Sequence, residues 1–509
     1  MTFYYTGYKI TSCMADHNTH HGVGRRDVIK YAGAAGLAAT TGLAGCTGGG
    51  GGGGGGASIP DDPDAAVDGQ SITLAMDAGH NTRPFNWFSD EISEQTGVTL
   101  EEVQGFGFTE LPEKLLTEFN AQSDAFDLAV FYPRYLGTMA ANGHLAPLDD
   151  MMEIEGWDPA FDSLLKPFRQ MYTQWGGNTY ALPIDGDVHM LVYRKDLFEK
   201  HDVKVPETWS EYVEAARYFT EETDDIPYGA AMLGKRGNSY GWFLDRFGGA
   251  GGVYFDEEMN PQINTEAGRQ AMQNLKDSLE YMPSETASYG YAELRDAFLN
   301  EQVAMVIQWT DVPKKAAASD TVSDKWGGAP VPAFEDGRGA SAMPVGRVLG
   351  VPSYVGDTQK LAAYRFAQVF AGPEFSPHMV SDPRCGEDPF RTEHFDDPAI
   401  YTQENPYSDD ASGSMSFQTE AQAQEYTEAV QGTLEQGYPE PYWPGAPQYI
   451  NALDIEVSKL VSGQVTVDEA LQNVESEWNS IVDDLGREQQ QQHYSNVIDA
   501  WKNAGIWQG

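Results

Sequence analysis

Residues 180–216 read YALPIDGDVHMLVYRKDLFEKHDVKVPETWSEYVEAA. Val188–Tyr193 is a short, largely apolar run that predicts a strand. Arg194-Lys195-Asp196 starts a turn. Pro206 and Thr208 mark a helix start, and Glu211, three residues beyond Thr208, completes a capping box. Strand, turn and helix therefore follow one another within one stretch.

The same alternation runs upstream. Ser71–Asp77 predicts a strand and Trp87–Gly97 a helix with a glycine stop. Val98–Val103 predicts a strand, Leu111–Phe119 a helix and Asp127–Phe131 a buried strand. Such alternation specifies an α/β fold with a largely parallel sheet. Downstream, helices are expected over Glu293–Asn300, Lys360–Phe370, Tyr449–Ser462 and Val467–Val482, with a buried strand at Val303–Gln308. There is no internal repeat.

The chain has 509 residues, enough for two or more domains. A hydrophobic fraction of 41% and an aromatic fraction of 12% argue against global disorder. Lys and Arg total 32 against 77 Asp and Glu, a formal net charge of −45. That balance opposes nucleic-acid binding, which needs clustered cations, and electrostatic docking on an anionic membrane. Self-repulsion of this size destabilises a compact state unless salt screens it. The composition is read as that of a halophile's protein.

Residues 24–46 read GRRDVIKYAGAAGLAATTGLAGC. The apolar stretch Tyr31–Gly45 is too short to span a membrane and fits a signal peptide. Arg25 and Arg26 resemble a twin-arginine export signal. Leu43-Ala44-Gly45-Cys46 resembles a lipobox, in which Cys46 becomes the lipidated first mature residue. Met14 offers an alternative start to Met1. Nine glycines, Gly48–Gly56, open an expected flexible tether over residues 46–70. With Cys46 acylated, Cys385 is the remaining thiol and no intrachain disulfide is expected.

Catalytic signatures are missing. GAAMLGKR at 229–236 approaches a phosphate-binding loop, but Arg236 stands where Ser or Thr should hold Mg²⁺. There is no G-x-S-x-G elbow and no zinc-type histidine spacing. The 77 acids leave a glycosidase-type carboxylate pair open. The reading is of a non-enzyme without metal or cofactor.

Several stretches resemble the maltose-binding-type extracellular solute-binding proteins of ABC importers. These are ISEQTGVTLE, FDLAVFYPRYLGTMAANGHLAPLDDM, residues 180–216, FLNEQVAMVIQWT and LVSGQVTVDEALQNVESEWN. They are collinear and span most of residues 71–485, leaving the tail to Gly509 outside. The resemblance implies a two-lobed α/β periplasmic-binding-protein-like fold with a ligand cleft between the lobes. Residues 1–45 would be signal, 71–186 plus 311–375 one lobe, and 187–310 plus 376–509 the other. Residues 384–416 depart from the pattern as an acidic insertion.

Position by position, the resemblance implies ligand contacts at Asp77, His80, Tyr132, Arg134, Asp187, Trp242, Trp309, Arg347, Trp443 and Tyr449. Most follow the ends of expected strands, where open α/β sheets bind ligands. Each has an ordinary structural role open to it as well: rings pack cores, and charges pair with charges. Aromatic faces with planar polar groups point to carbohydrate. A peptide or polyamine is the alternative solute, and a secreted polysaccharide hydrolase or an envelope protein the alternative class. The expected setting is the extracellular face of the cell membrane, with a monomer held by its lipid and serving ABC permease subunits.

The charge generates a test. Transfer from molar KCl to dilute buffer is expected to lower the melting temperature or unfold the chain, as screening is lost. A thermal melt unchanged between the two media would reject the halophilic reading.

Overall fold

The chain passes from one sheet to another through five residues, Ile184–Val188. The structure is a computed structural model that describes residues 56–337, 339–408, 415–434 and 437–504. Arg25, Arg26, Cys46 and most of the glycine tract lie outside the described residues. The described strands are β1 Ser71–Asp77, β2 Thr99–Phe106, β3 Leu128–Phe131, β4 Gln174–Trp175, β5 Asn178–Thr179, β6 Ala181–Pro183, β7 His189–Arg194, β8 Tyr228–Ala231, β9 Val303–Trp309, β10 Trp326–Ala329 and β11 Val348–Gly350.

The first sheet has the order β2-β1-β3-β11-β6, the second β10-β7-β9-β8, and β4-β5 is a separate hairpin. β1 is parallel to β2 and β3, while β11 is antiparallel to β3 and β6. In the second sheet only β8 and β9 are parallel. Both sheets are therefore mixed, where a largely parallel sheet was expected. The antiparallel strands arise where the chain returns from one sheet to the other instead of through a helical crossover.

This topology aligns the strand ends. β11 pairs Val348 with Phe131 of β3 and with Pro183 of β6. The start of β11 thus lies beside the ends of β1, β3 and β6. In the second sheet His189, opening β7, lies opposite Trp309, closing β9. β7 and β9 are buried along their whole lengths. The helix Trp209–Glu221 covers them with Trp209, Tyr212, Ala216 and Phe219. Its capping box forms as read: the Glu211 amide donates to Thr208 Oγ1 at 3.1 Å, and the Thr208 amide donates to Glu211 Oε2 at 3.1 Å.

Several boundaries differ from expectation. Lys195–His201 is a helix rather than a turn, started by Arg194, whose guanidinium grips Asp196 at 2.6 and 2.8 Å. β10 hydrogen-bonds to β7, so residues 326–329 belong to the second sheet although 311–375 was assigned to the first lobe. The return to the first sheet lies between Ala329 and Val348. The tether range also overreaches. Pro63–Val67 is a helix, capped by Asp62, that buries Val67 and docks on the helix Asp357–Phe370.

The described residues of the acidic insertion, 384–408 with 415 and 416, are built into the body rather than looped out. Arg391, 1% exposed, donates to the carbonyls of Pro159, Ala160 and Ala371. The C-terminal helix Arg487–Ala504 buries Tyr494, Val497 and Trp501. Its Tyr494 ring packs 5.1 Å from that of Trp443, which is fully buried.

That packing corrects two expected ligand contacts. Trp443 lies in an aromatic cluster with Tyr254, Phe255 and Tyr449. Tyr449 is likewise fully buried, donating to Gln490 Oε1 at 3.0 Å, while its own carbonyl accepts from Trp478 Nε1. Trp443→Ala is expected to cost roughly 3–5 kcal/mol of stability, as for any large ring lost from a packed core. Urea unfolding in molar KCl measures it. A loss below about 1 kcal/mol would show that the surroundings collapse onto the site or that the ring is not core.

Candidate functional site

The aligned strand ends of both sheets border a cavity of about 400 Å³. Asp77, His80, Tyr132, Arg134, Asp187, Trp309 and Arg347 line it. Trp242, Trp443 and Tyr449 do not. Trp242 is 1% exposed on the buried helix Tyr240–Gly249, and its indole N–H donates to the Ile307 carbonyl at 3.0 Å. It is a core residue, because the helix that carries it is buried on every side.

The first sheet contributes a hydrogen-bonded network around Arg347. Its Nε donates to Asp77 Oδ1 at 3.1 Å, its Nη2 to Asp77 Oδ2 at 3.1 Å, and its Nη1 to Asp185 Oδ2 at 2.6 Å. Tyr132 donates its hydroxyl to Asp77 Oδ2 at 3.2 Å and accepts from Arg347 Nη2. Burial raises the Asp77 pKa, but the charge and hydrogen bonds of Arg347 outweigh it, and the net shift is downward. For Asp185 burial prevails over Arg347, with Asp388 adding repulsion, and its pKa is pushed up to about 7. The difference follows from geometry: Arg347 spends three contacts on Asp77 and one on Asp185.

Arg134 follows β3 and reaches across to residues of the other sheet's layer. Its Nη1 donates to Tyr240 Oη at 3.1 Å and lies 3.5 Å from Glu440 Oε2, to which Tyr240 also donates. The guanidinium stands 4.7 Å from the centre of the Tyr132 ring. His80, in the turn after β1, is held neutral: burial first, then Lys315, lowers its pKa to about 4.

The second sheet supplies Trp309. Its ring packs 3.8 Å, centre to centre, from His189, whose Nδ1 lies 2.7 Å from Asp245 Oδ2. Trp242 packs on His189 as well, at 4.4 Å, and stands edge-on to Trp309 at 6.2 Å. Asp187, on the passage between sheets, also reaches the cavity, with Thr310 Oγ1 at 3.5 Å. Burial, then Asp185, Asp388 and Asp311, raise its pKa well above the carboxylate range.

Further lining residues escaped the sequence reading. Asp311, bound by Lys315 and by the Tyr291 hydroxyl, comes two residues after Trp309. Lys235 and Arg236 follow β8 and Trp309 closes β9, so the same strand-end logic reaches them. Arg236 donates to Asn451 Oδ1 at 2.8 Å and sits 3.8 Å from Asp454. Tyr240 and Tyr291 begin helices, and Phe108 is an exposed ring at the cavity's edge. Gly386 belongs to the insertion, where a Cβ would come within 2.2 Å of His80 Nε2. Nothing in the sequence marks it. Among the described residues no group of His, Cys, Asp and Glu side chains has metal-holding geometry.

Comparison with known proteins agrees with this architecture. A mannitol-binding protein of Pseudomonas aeruginosa is 28% identical over 223 residues, 42% of this chain and 48% of that protein. An arabinooligosaccharide-binding protein of Halalkalibacterium halodurans is 25% identical over 175 residues, 34% of this chain and 37% of the relative. The chain thus spans about half or less of the length of these relatives. Among solved structures, maltose-bound MalE3 of T. maritima superposes with a TM-score of 0.69 at 21% identity, covering 81% of this chain and 99% of that one. A solute-binding protein of Agrobacterium radiobacter K84 in complex with ribitol gives 0.68 at 20% identity, covering 82% and 99%. These likenesses establish the periplasmic-binding-protein fold. The family described as bacterial extracellular solute-binding protein matches residues 78–375, more than half of the sequence. The chain belongs to that family of extracellular solute-binding proteins.

Proposed function

We propose that the cavity captures a carbohydrate, a mono- or oligosaccharide or a sugar alcohol, for delivery to the permease of an ABC importer. One observation carries the reading: Trp309 lines the cavity with its ring backed by His189, among hydroxyl and carboxylate groups at Tyr132, Tyr240, Tyr291 and Asp187. A sugar offers an apolar ring face to an aromatic and hydroxyl edges to polar groups, so this mixture suits it. The volume falls within the range of about 300–1,000 Å³ usual for small-molecule sites. The names of the mannitol- and arabinooligosaccharide-binding relatives agree with a polyhydroxylated solute.

The finer setting rests on the sequence. Arg25 and Arg26 direct twin-arginine export, Cys46 carries a lipid, and the glycine run lets a monomer sit at the outer face of the membrane. The −45 charge suits a salt-rich exterior.

Titration calorimetry against a panel of sugars and sugar alcohols, in molar KCl, tests the reading. Saturable binding to at least one is expected. Trp309→Ala is expected to weaken it by about tenfold or more, roughly 1.4 kcal/mol. Trp309→Phe, which retains a ring, should recover part of the loss. Unchanged affinity in Trp309→Ala would remove the ring from the site. For export, replacing Arg25 and Arg26 by lysine is expected to leave precursor inside the cell. Cys46→Ser is expected to release the protein or leave it uncleaved. Normal surface retention of both variants would contradict the anchor.

A further inference from the structure

Nearly every charged group at the cavity already has an opposite charge. Arg347 is held by Asp77 and Asp185, Arg134 by Glu440, Arg236 by Asp454, and Asp311 by Lys315. Two lining charges have no ion pair among the described residues: Lys235, exposed at the rim, and Asp187, half-buried at the floor. Resting on the carbohydrate reading above, we infer that the solute carries an ammonium group beside its hydroxyls, as an amino sugar or aminated polyol does, and that Asp187 selects it.

Asp187 occupies a corner built by Trp309, Thr310, Asp311 and Tyr291. Behind it the structure concentrates acids. Asp185 and Asp388 are fully buried, and Asp388 donates its backbone N–H to Asp185 Oδ1 at 2.9 Å. Glu387 is fully buried with no ion pair among the described residues, and its Oε1 lacks a hydrogen-bond partner. Against this group stand Arg347 and the buried Lys314, which lies 3.0 Å from Asp388 Oδ1.

Asp77 and Asp311, the other lining carboxylates, are taken by Arg347 and Lys315, so among the described residues Asp187 is the lining carboxylate a solute cation would meet. Crowding and burial favour a proton on Asp187 when no cation faces it. A neutral sugar would then meet a carboxylic acid and exchange one ordinary hydrogen bond with it. An ammonium group stabilises the ionised form and gains charge-assisted hydrogen bonds, roughly twice as strong as neutral ones. Trp309 lines the same cavity, and an aromatic ring attracts a cation over its face.

Matched pairs test this in molar KCl, by calorimetry on the mature protein. Glucosamine, galactosamine and 1-amino-1-deoxysorbitol are compared with glucose, galactose and sorbitol, and N-acetylglucosamine serves as the uncharged amide. At least one amine is expected to bind about tenfold tighter than its parent, with the gain lost on acetylation. Asp187→Asn, which matches the shape and neutrality of the protonated acid, is expected to bring the pair within about twofold. Parents that bind as tightly as their amines would overturn the inference and leave the carbohydrate reading intact. An amine preference that survives in Asp187→Asn would overturn the role of Asp187. Failure of every amine and every parent to bind would overturn both readings.

Discussion

One guanidinium joins four strand ends. Arg347 precedes β11, Asp185 follows β6, Asp77 closes β1 and Tyr132 follows β3, and all four side chains meet in one hydrogen-bonded group. A buried charge is tolerated only when paired and hydrogen-bonded, and the planar fork of arginine is suited to two carboxylates at once. Burial lowers the Arg347 pKa, but Asp77, Tyr132 and Asp185 drive it well above the ordinary value, so the charge is permanent. The backbone is shaped to permit this. Gly346 has φ +108°, and a Cβ there would lie 2.1 Å from the Asp185 carbonyl oxygen. A side chain at 346 would therefore separate the two passages between the sheets where Arg347 ties them.

The insertion extends that arrangement. Lys314 is completely buried and donates to the carbonyls of Val380 and Glu387 while pairing with Asp388. It thereby attaches the helix Asp311–Ala317, which begins two residues after Trp309, to the segment carrying Gly386. Gly186 admits that segment closely, since a Cβ there would come within 1.9 Å of the Pro389 carbonyl oxygen. The acids behind the cavity floor are thus held by backbone contacts, Lys314 and Arg347, and Asp187 is the one of them that lines the cavity. Lobe closure in two-sheet binding proteins concentrates its backbone changes in a few linking residues. Here those residues carry the charged network that borders the cavity.

Much of this was legible in the sequence. Strand ends could be read because buried strands are short apolar runs that stop abruptly, and seven of the ten candidates placed on that logic or its family counterpart line the cavity. The capping box at Thr208 was legible because two side chains three residues apart satisfy two orphan amides. Sheet direction was not, because a short strand such as Val348–Gly350 carries no local signal of which neighbour it will join. Nor was the burial of aromatic rings. Trp443 and Tyr449 have the same composition cues as a cavity wall, and distant parts of the chain, Tyr254, Phe255, Trp478 and the last helix's Tyr494 and Gln490, make them core.

Trp242 fails differently, and its failure explains why Trp309 is held so firmly. The rings of Trp242 and Trp309 both pack on His189, at 4.4 and 3.8 Å from it, and stand edge-on to each other at 6.2 Å. Asp245, one helical turn from Trp242, accepts the Met343 amide at 3.0 Å with Oδ1 and pairs with His189 through Oδ2. Met343 lies on the returning passage between the sheets, and His189 follows directly on the first. The stack therefore takes one support from each passage and one from the buried helix. Trp242 sits one layer behind the surface expected of it, in the place from which it fixes His189 and, through His189, the ring that lines the cavity. Trp309 is thus supported through packed rings and a carboxylate that contacts both passages between the sheets.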